Sequence, residues 1–265
     1  MKTEGTLIKM QTALHDVVHY TLQTGGEAVD MNAAIGKDME LHYTGEIYCI
    51  SCGTKTKKSY GQGFCYKCFI TRPEADQCIL KPELCQAHLG ISRDMEWSKE
   101  HCLQDHFVYL AVSSGLKVGV TRSSQIPTRW MDQGAWKAVK LARTPYRELA
   151  GELEVALKEH MSDRTNWQRM LKNQLATDID LLEEKKRAIG LLPEELKQYV
   201  IDDDTITEIA YPVQAYPKKV KSISFDKTAD YKGRLMGIKG QYLLFEDGRV
   251  LNIRKHNGYQ VEISI

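Results

Sequence analysis

Several absences limit what this 265-residue chain can be. No uninterrupted apolar run approaches the roughly 20 residues that a membrane-spanning helix needs. The N-terminal stretch MKTEGTLIKMQTALHDVV is interrupted by charged side chains and lacks the apolar core of a secretion signal. We therefore expect a cytosolic protein with no membrane partner.

A dominant charge is absent as well. The 36 Lys and Arg residues nearly balance the 35 Asp and Glu residues, so the net charge is +1, and the chain as a whole favours no class of partner. Long repeats and low-complexity segments are also lacking, and the hydrophobic content of 42% is ordinary for a globular protein. The length allows one large domain or a few small ones, and nothing in the sequence indicates an oligomeric state.

The cysteine count of seven is odd, which does not fit a complete set of disulfides. In a reducing compartment, closely spaced Cys pairs are more often metal ligands or redox groups. Four cysteines lie in CISCGTKTKKSYGQGFCYKC (49–68), where two CxxC pairs flank a loop of twelve residues. Two such turns direct four sulfurs at one tetrahedral Zn²⁺ ion, and Gly53 can adopt the positive φ that the first turn needs.

We predict a structural zinc site here, because four protein sulfurs leave no open coordination position for a substrate. Its ligands would be Cys49, Cys52, Cys65 and Cys68. A thioredoxin-like redox centre is an alternative, but it uses a single CxxC at the start of a helix. Free buried thiols are a further alternative.

The other three cysteines lie at irregular spacing in CILKPELCQAHLGISRDMEWSKEHCLQDH (78–106). With one histidine they could form a second zinc site, whose ligands would be Cys78, Cys85, His88 and Cys102. His101 or His106 could replace one of them. The alternative is that these side chains pack as small hydrophobic groups and hydrogen-bonded imidazoles.

Secondary-structure signals predict an α+β fold in four segments. Residues 1–48 are predicted to form a small β unit, and residues 201–265 a small barrel-like β unit. Residues 49–105 are a Cys-rich insert that metal rather than an apolar core would hold together, and residues 106–200 are a hairpin followed by helices. Alternatively, the strands of the last segment pair with those of the first in one barrel built from both termini.

Within the third segment, HFVYLAV (106–112) and LKVGVT (116–121) are typical of a β-hairpin. PTRWMDQGAWKAVKLA (127–142) begins with a proline that suits the first turn of a helix, and Gly134 divides it. We predict further helices over residues 146–161 and over NWQRMLKNQLATDIDLLEEKKRAIG (166–190), which has a continuous apolar stripe.

Charge is concentrated locally although it balances overall. Residues 49–72 carry five basic side chains, no acidic one and several interleaved aromatic rings, and residues 107–147 carry seven bases against one acid. Basic side chains attract phosphate, and aromatic faces stack on unpaired bases. We therefore expect nucleic acid, either RNA or DNA, as the partner, although a solvated charged face is the plainer explanation. The candidate contacts are Lys55, Lys57, Lys58, Lys67 and Arg122.

The hairpin and the following helix, FVYLAVSSGLKVGVTRSSQIPTRW and RELAGELEVALKEHMSDRTNW, resemble the core of GIY-YIG nucleases over about residues 106–167. That family has a hairpin with two tripeptides, a helix that carries an Arg and a later helix that carries a metal-binding Glu. The preceding Cys-rich insert and QIPTRWMDQGA resemble an uncharacterised bacterial protein family. The resemblance implies a central α/β module, which the predicted zinc-ribbon insert precedes and the predicted barrel-like β units flank.

In this resemblance, Tyr109 corresponds to the Tyr of the first tripeptide and Gly119 to the Gly of the second. Lys117 stands where the second tripeptide has its Tyr. Arg129 matches the helix Arg, and Arg122 is the fallback.

The metal-binding Glu is best matched by Glu154, with Glu152 and Glu148 as near alternatives. Asn166 matches a late Asn of the family. The resemblance thus implies a catalytic set for phosphodiester hydrolysis that consists of Tyr109, Lys117, Arg129 and Glu154.

The chemistry implied for these residues follows from their types. The Tyr would orient or deprotonate water, the Arg would stabilise the pentacovalent phosphorus, and the Glu would hold Mg²⁺ or Mn²⁺ through hard oxygen atoms. Lys117 departs from the pattern, because an ammonium is a poor base unless burial lowers its pKa. It binds phosphate well when charged, so the site could bind without cutting. Alternatively, Tyr109 is a packing aromatic, and Glu154 pairs with Lys158 at i,i+4.

The sequence as a whole predicts a zinc-stabilised nucleic-acid-binding protein with a GIY-YIG-like module that could act as a divalent-metal-dependent endonuclease. A non-catalytic RNA- or DNA-binding module is one alternative. A protein-interaction scaffold, which zinc serves only to fold, is another.

Overall fold

The structure of the protein is a computed structural model, and it describes residues 1–162 and 164–265. The fold mixes helices and several sheets, as predicted. It divides into two compact units. The terminal unit comprises Met1–Ile70, Leu171–Asn173 and Ile209–Ile265, and the central unit comprises Thr71–Met170 and Gln174–Glu208.

The described secondary structure contains many short strands and few long helices. In chain order the strands are β1 (Lys2–Thr6), β2 (Gln11–Ala13), β3 (His19–Thr24), β4 (Glu27–Asp30), β5 (Asp38–Tyr48), β6 (Lys55–Thr56), β7 (His106–Val112), β8 (Leu116–Arg122), β9 (Lys137–Thr144), β10 (Thr207–Glu208), β11 (Lys221–Ser222), β12 (Asp230–Lys239), β13 (Tyr242–Phe245), β14 (Arg249–Asn252) and β15 (Tyr259–Ser264). The α-helices are α1 (Tyr66–Thr71), α2 (Met95–His101), α3 (Thr128–Asp132), α4 (Arg147–Lys158), α5 (Trp167–Leu171) and α6 (Leu181–Leu191).

The main sheet of the terminal unit is built from both ends of the chain. Its order is β1-β15-β5-β12-β13-β14-β11, with β6 paired to β5, and β1 pairs antiparallel with β15 from Lys2↔Ser264 to Thr6↔Gln260. The alternation of buried and half-buried residues along β15 gives this sheet one core-facing side. The strands of the two termini therefore pair with each other, which the sequence offered as an alternative. Within the described residues the sheet order is open, so the expected barrel-like unit does not close into a barrel.

The central unit contains the predicted hairpin. Strands β7 and β8 pair antiparallel from His106↔Arg122 to Val112↔Leu116 in a sheet of order β10-β9-β7-β8. Leu153 and Leu157 of α4 belong to the same buried apolar cluster as Val108 and Leu110 of β7. The apolar side of α4 therefore covers one face of the sheet.

Two predicted helices of the central unit are wrong in part. The helix expected over residues 127–142 ends at Asp132, and residues 137–144 form β9, which pairs with β7. The helix expected over residues 166–190 is two helices, α5 and α6. Asn173 in the break has a φ of +54°, and the Asp180 side chain caps the start of α6, so the local backbone interrupts the apolar stripe.

Tyr109 of β7 fits into the hairpin only because its neighbour across the strands has no side chain. Tyr109 pairs with Gly119 of β8 and is fully buried. A Cβ atom added to Gly119 would lie 2.5 Å from Tyr109 Oη and 2.7 Å from its Cζ. Any other residue at position 119 would push the ring out of its place.

We predict that Gly119→Ala destabilises the protein by about 1–3 kcal/mol, because the added methyl group overpacks a buried ring. Chemical denaturation followed by circular dichroism measures this. The matched control is Gly115→Ala in the turn of the same hairpin, where an added Cβ meets no atom within 4 Å. Equal unfolding free energies for the two variants would contradict the close packing.

Candidate functional site

The two CxxC pairs come together in the terminal unit. The sulfur atoms of Cys49, Cys52, Cys65 and Cys68 lie within 4.8 Å of one another, and those of Cys52 and Cys65 are 3.9 Å apart. A tetrahedral zinc ion with Zn–S bonds of ~2.3 Å holds its sulfurs about 3.8 Å apart. The cluster therefore has the size that a zinc ion needs and could hold such a metal.

Two tight turns position these sulfurs. Gly53 has a φ of +71° and donates its N–H to the Cys49 carbonyl at 2.8 Å. Cys65 directly precedes α1, and the N–H of Cys68 points at its sulfur over 3.5 Å. The pKa of Cys52 is lowered to about 6, first by its hydrogen bond with the Thr54 side chain. Because the thiolate is the form that binds metal, the turns favour the charge state that a metal requires.

The predicted nucleic-acid contacts of this loop have different surroundings. Lys55 forms an ion pair with Glu46, and the hydrogen bond between them lowers the pKa of Glu46. Lys58 Nζ lies 5.2 Å from the ring centroid of Tyr60. Lys57 and Lys67 are exposed.

An aromatic cluster adjoins these lysines. The Tyr60 ring lies 5.4 Å from that of Tyr66 and 6.0 Å from that of Phe69. Tyr66 is 59% exposed and Phe69 36% exposed. The loop therefore combines ammonium groups with solvent-facing rings.

The second cysteine cluster lies in the central unit. The sulfur atoms of Cys78, Cys85 and Cys102 lie within 4.8 Å of one another, and all three residues are buried. Hydrogen bonds from Cys78 and Cys85 lower the pKa of Cys102, and the bond with Cys102 raises the pKa of each of the other two. This cluster too could hold a metal such as zinc.

The histidines predicted as additional ligands are not part of this cluster. His88 is exposed and stacks on Tyr146 with ring centroids 4.8 Å apart. His101 stacks on Trp97 with ring centroids 3.9 Å apart. The sequence therefore identified three of the residues that meet here, and the structure places the proposed histidine elsewhere.

His106, the other histidine considered, is buried beside the cluster. Its Nδ1 lies 2.7 Å from the Gln104 carbonyl oxygen, and among the described residues its Nε2 has no hydrogen-bond partner. Burial lowers the pKa of His106 to about 4, so its ring is neutral near pH 7. It is not among the ligand atoms grouped with the three sulfurs.

Arg147, at the start of α4, contacts the chain around the second cluster. Its guanidinium donates to the Cys78 carbonyl at 3.1 Å and to the His101 carbonyl at 2.9 Å. The backbone N–H of Arg147 donates to the Cys102 carbonyl at 2.9 Å. The residue is 8% exposed. No sequence signal indicates this role, because Arg147 is one of several bases in a long basic stretch.

The phenol of Tyr109 lies among polar groups from three elements. Tyr109 Oη donates to Gln133 Oε1 at 2.9 Å, and the Arg129 guanidinium also hydrogen-bonds the phenol. Burial raises the pKa of Tyr109, and the negative charge of Glu154 raises it further. Arg129 and Gln133 oppose this rise. Tyr109 and Arg129, two of the four predicted catalytic residues, are therefore in contact, and the Glu154 charge acts on the phenol electrostatically. Gln133 is a further neighbour of the phenol that no sequence signal indicated.

Glu154 and Lys117 are both buried polar residues of this region. Glu154 is 8% exposed, and its carboxylate lies 3.2 Å from Lys158 Nζ. Lys117 is 5% exposed and pairs with Ala111 across the hairpin. By the two-residue period of strands, its side chain is on the same face of the hairpin as Tyr109.

Arg122, the fallback Arg and a predicted nucleic-acid contact, is half-buried at the end of β8. Burial lowers its pKa, and the charge of Arg147 lowers it further. It is not among the groups that perturb the Tyr109 phenol. Of the two arginines, Arg129 is the one that contacts Tyr109.

These features define a mixed α/β protein with two cysteine clusters that could hold metal and a buried polar group within a β-hairpin. The sequence profile of DUF2797, a family of proteins of unknown function, matches residues 36–261. The chain therefore belongs to the DUF2797 family. No curated protein and no solved structure matches it, and the GIY-YIG resemblance stays a prediction. Within the described residues, no helix is both long enough and apolar enough to cross a bilayer.

We predict that the purified chain carries two zinc equivalents, one for each cysteine cluster. Cys65→Ser should lower this to about one, because a serine hydroxyl is a poor replacement for a thiolate ligand. Elemental analysis after gel filtration measures the content. The control is Ser51→Ala, between two of the ligands, which should keep both equivalents. A folded preparation that contains no metal would contradict both sites.

Proposed function

We propose that this DUF2797 protein is a zinc-stabilised nucleic-acid-binding protein whose hairpin site cleaves phosphodiesters with the help of a divalent cation. The observation that supports this most is that Arg129 hydrogen-bonds the phenol of Tyr109 while the charge of Glu154 acts on the same phenol. The three residues come from α3, α4 and β7, which are separated along the chain. The GIY-YIG resemblance matches these same three positions.

The close packing within the hairpin is consistent with a positioned tyrosine. The ring lies against Gly119, and its hydroxyl is oriented by Gln133 and Arg129. Because the pKa of Tyr109 is raised, the phenol keeps its proton at neutral pH. It would therefore orient a water molecule or a phosphate oxygen rather than remove a proton.

The other side chains would have separate roles in the cleavage reaction. The half-buried Arg129 would donate hydrogen bonds to the non-bridging oxygens of the phosphate as negative charge develops there. Glu154 would supply the hard oxygen ligand for Mg²⁺ or Mn²⁺, and such an ion would stabilise the charge of the leaving oxygen. Lys117 would add positive charge on the hairpin face that carries Tyr109.

The Cys-rich loop would provide contacts to the nucleic acid. Its lysines would neutralise backbone phosphates, and the exposed rings of Tyr66 and Phe69 would stack on unpaired bases. A preference for single-stranded over fully paired nucleic acid follows, because stacking requires accessible base faces.

We predict that Glu154→Gln lowers cleavage of nucleic acid by about 10²–10³-fold, because the neutral amide is a weak ligand for Mg²⁺. The measurement is single-turnover cleavage of labelled single- and double-stranded RNA and DNA with Mg²⁺ or Mn²⁺. The matched control is Glu152→Gln, an exposed carboxylate in the same helix, which should retain the activity. Full activity of Glu154→Gln, or inactivity of the wild type on every substrate, would refute the catalytic role.

Binding without cleavage is the second candidate function, and the ion pair of Glu154 with Lys158 favours it. An ammonium at 3.2 Å competes with a metal ion for the same carboxylate. Lys117, in place of a tyrosine, also suits phosphate binding more than proton transfer. Under this alternative, wild type and Glu154→Gln would bind equally and neither would cleave.

We predict that Lys57→Gln/Lys58→Gln weakens binding to single-stranded nucleic acid and lowers the slope of log affinity against log salt by about 0.7 for each lost phosphate contact. Fluorescence anisotropy at several salt concentrations measures this slope. A matched control is Lys218→Gln/Lys219→Gln, outside the loop. An unchanged slope would exclude the loop as a binding surface, and a wild type that binds no nucleic acid would favour a protein-interaction scaffold.

A further inference from the structure

The three-cysteine cluster borders an open cavity of the central unit. This cavity has a volume of about 260 Å³, and Cys78, Cys85 and Cys102 all contribute to its wall. The wall also contains apolar groups, among them Ala87 and Trp97. A metal bound by the three sulfurs would therefore have one side turned toward solvent-accessible space.

No fourth protein ligand completes this cluster in residues 1–162 and 164–265. The carboxylate in the cavity wall, Asp76, forms an ion pair with Arg93 Nε at 2.9 Å and accepts from the Cys78 N–H at 3.2 Å. His106 does not line the cavity. Three protein ligands with one free position are the arrangement of zinc sites that accept an external molecule.

Arg147 places a buried positive charge beside the three sulfurs. Among the described residues its buried guanidinium donates to backbone carbonyls rather than to a carboxylate, and its Nε has no hydrogen-bond acceptor. A buried charge without a counter-charge is costly. A divalent ion with three thiolates carries a net charge of −1, which the single positive charge of Arg147 offsets.

We propose that Cys78, Cys85 and Cys102 hold a zinc ion whose fourth coordination position faces the cavity and binds a low-molecular-weight thiol. A zinc ion that already has thiolate ligands favours a further sulfur donor, because soft ligands suit such sites. On binding, the thiol would lose its proton to solvent, its sulfur would form the fourth bond, and a water molecule in that position would leave. No electrons are transferred in this exchange.

The cavity limits the size and the character of the ligand. Its volume of about 260 Å³ is just under the roughly 300 Å³ at which pockets for drug-sized molecules begin. Ile91 and Leu84 provide apolar surface, and Gln86 and Arg93 provide polar groups. A small organic thiol with one polar substituent fits these walls. This inference does not depend on the proposed nucleic-acid function.

The test uses the full chain loaded with Co²⁺, whose absorption reports the ligands, in a buffer without thiols. We expect 2-mercaptoethanol to change the Co²⁺ spectrum in a saturable way, with one thiol bound per chain and no loss of metal. The four-sulfur cluster has no free position and contributes no change. Ile91→Trp should weaken this binding several-fold by filling the cavity while the cobalt content stays the same.

The variant His106→Ala distinguishes an open fourth position from one that the His106 imidazole occupies. If the fourth position is open, wild type and His106→Ala respond to the thiol alike. If the wild type does not respond and His106→Ala does, the imidazole closes the site and the proposal is wrong. A cobalt content of one equivalent per chain, unaffected by Cys85→Ser, would also overturn it.

Discussion

The second cysteine cluster is a small core whose buried centre is mainly thiol groups, with Ile79, Trp97 and Leu103 only partly buried against it, and the surrounding chain depends on that constraint. Its buried members are three thiols and Ala87, and the intervening chain from Pro73 to Leu89 forms only short 3-10 turns. Such a core buries little apolar surface, so hydrophobic burial alone contributes little to its stability. Coordination of a metal would supply the missing free energy, because ligand binding to the folded state stabilises that state.

Helix α4 connects this cluster with the proposed phosphodiester site. Arg147 attaches the start of the helix to the carbonyls around the thiols. One turn later, Gly151 allows the turn between Cys78 and Cys85 to approach, since a Cβ there would lie 2.1 Å from the Glu83 amide nitrogen. Glu154 follows on the same helix, about two turns after Arg147. Loss of the second metal would therefore disturb the position of Glu154 as well as the cluster.

Local sequence patterns predict the structure of this chain correctly where neighbouring residues decide it, and they fail where packing decides between two local structures. The hairpin of β7 and β8 has alternating β-branched residues and a short turn, so its prediction is confirmed. Residues 137–144 carry an apolar pattern that suits either a helix or a buried strand. They form a strand because they pair with the edge of β7 that β8 leaves free. Residues 166–190 have a helical stripe, but the left-handed backbone of Asn173 interrupts it.

The sequence by itself determined which chemistry is available: two CxxC turns at a spacing that suits one metal, three further thiols, and a hairpin with a glycine opposite Tyr109. Spacing along the chain sets these features, so no distant contact is needed to find them. Only the tertiary structure decided that both termini share one sheet, that His88 lies outside the second cluster, and that Arg129 and Gln133 hydrogen-bond one phenol. These depend on which faces of distant elements pack together, and no local pattern encodes that choice.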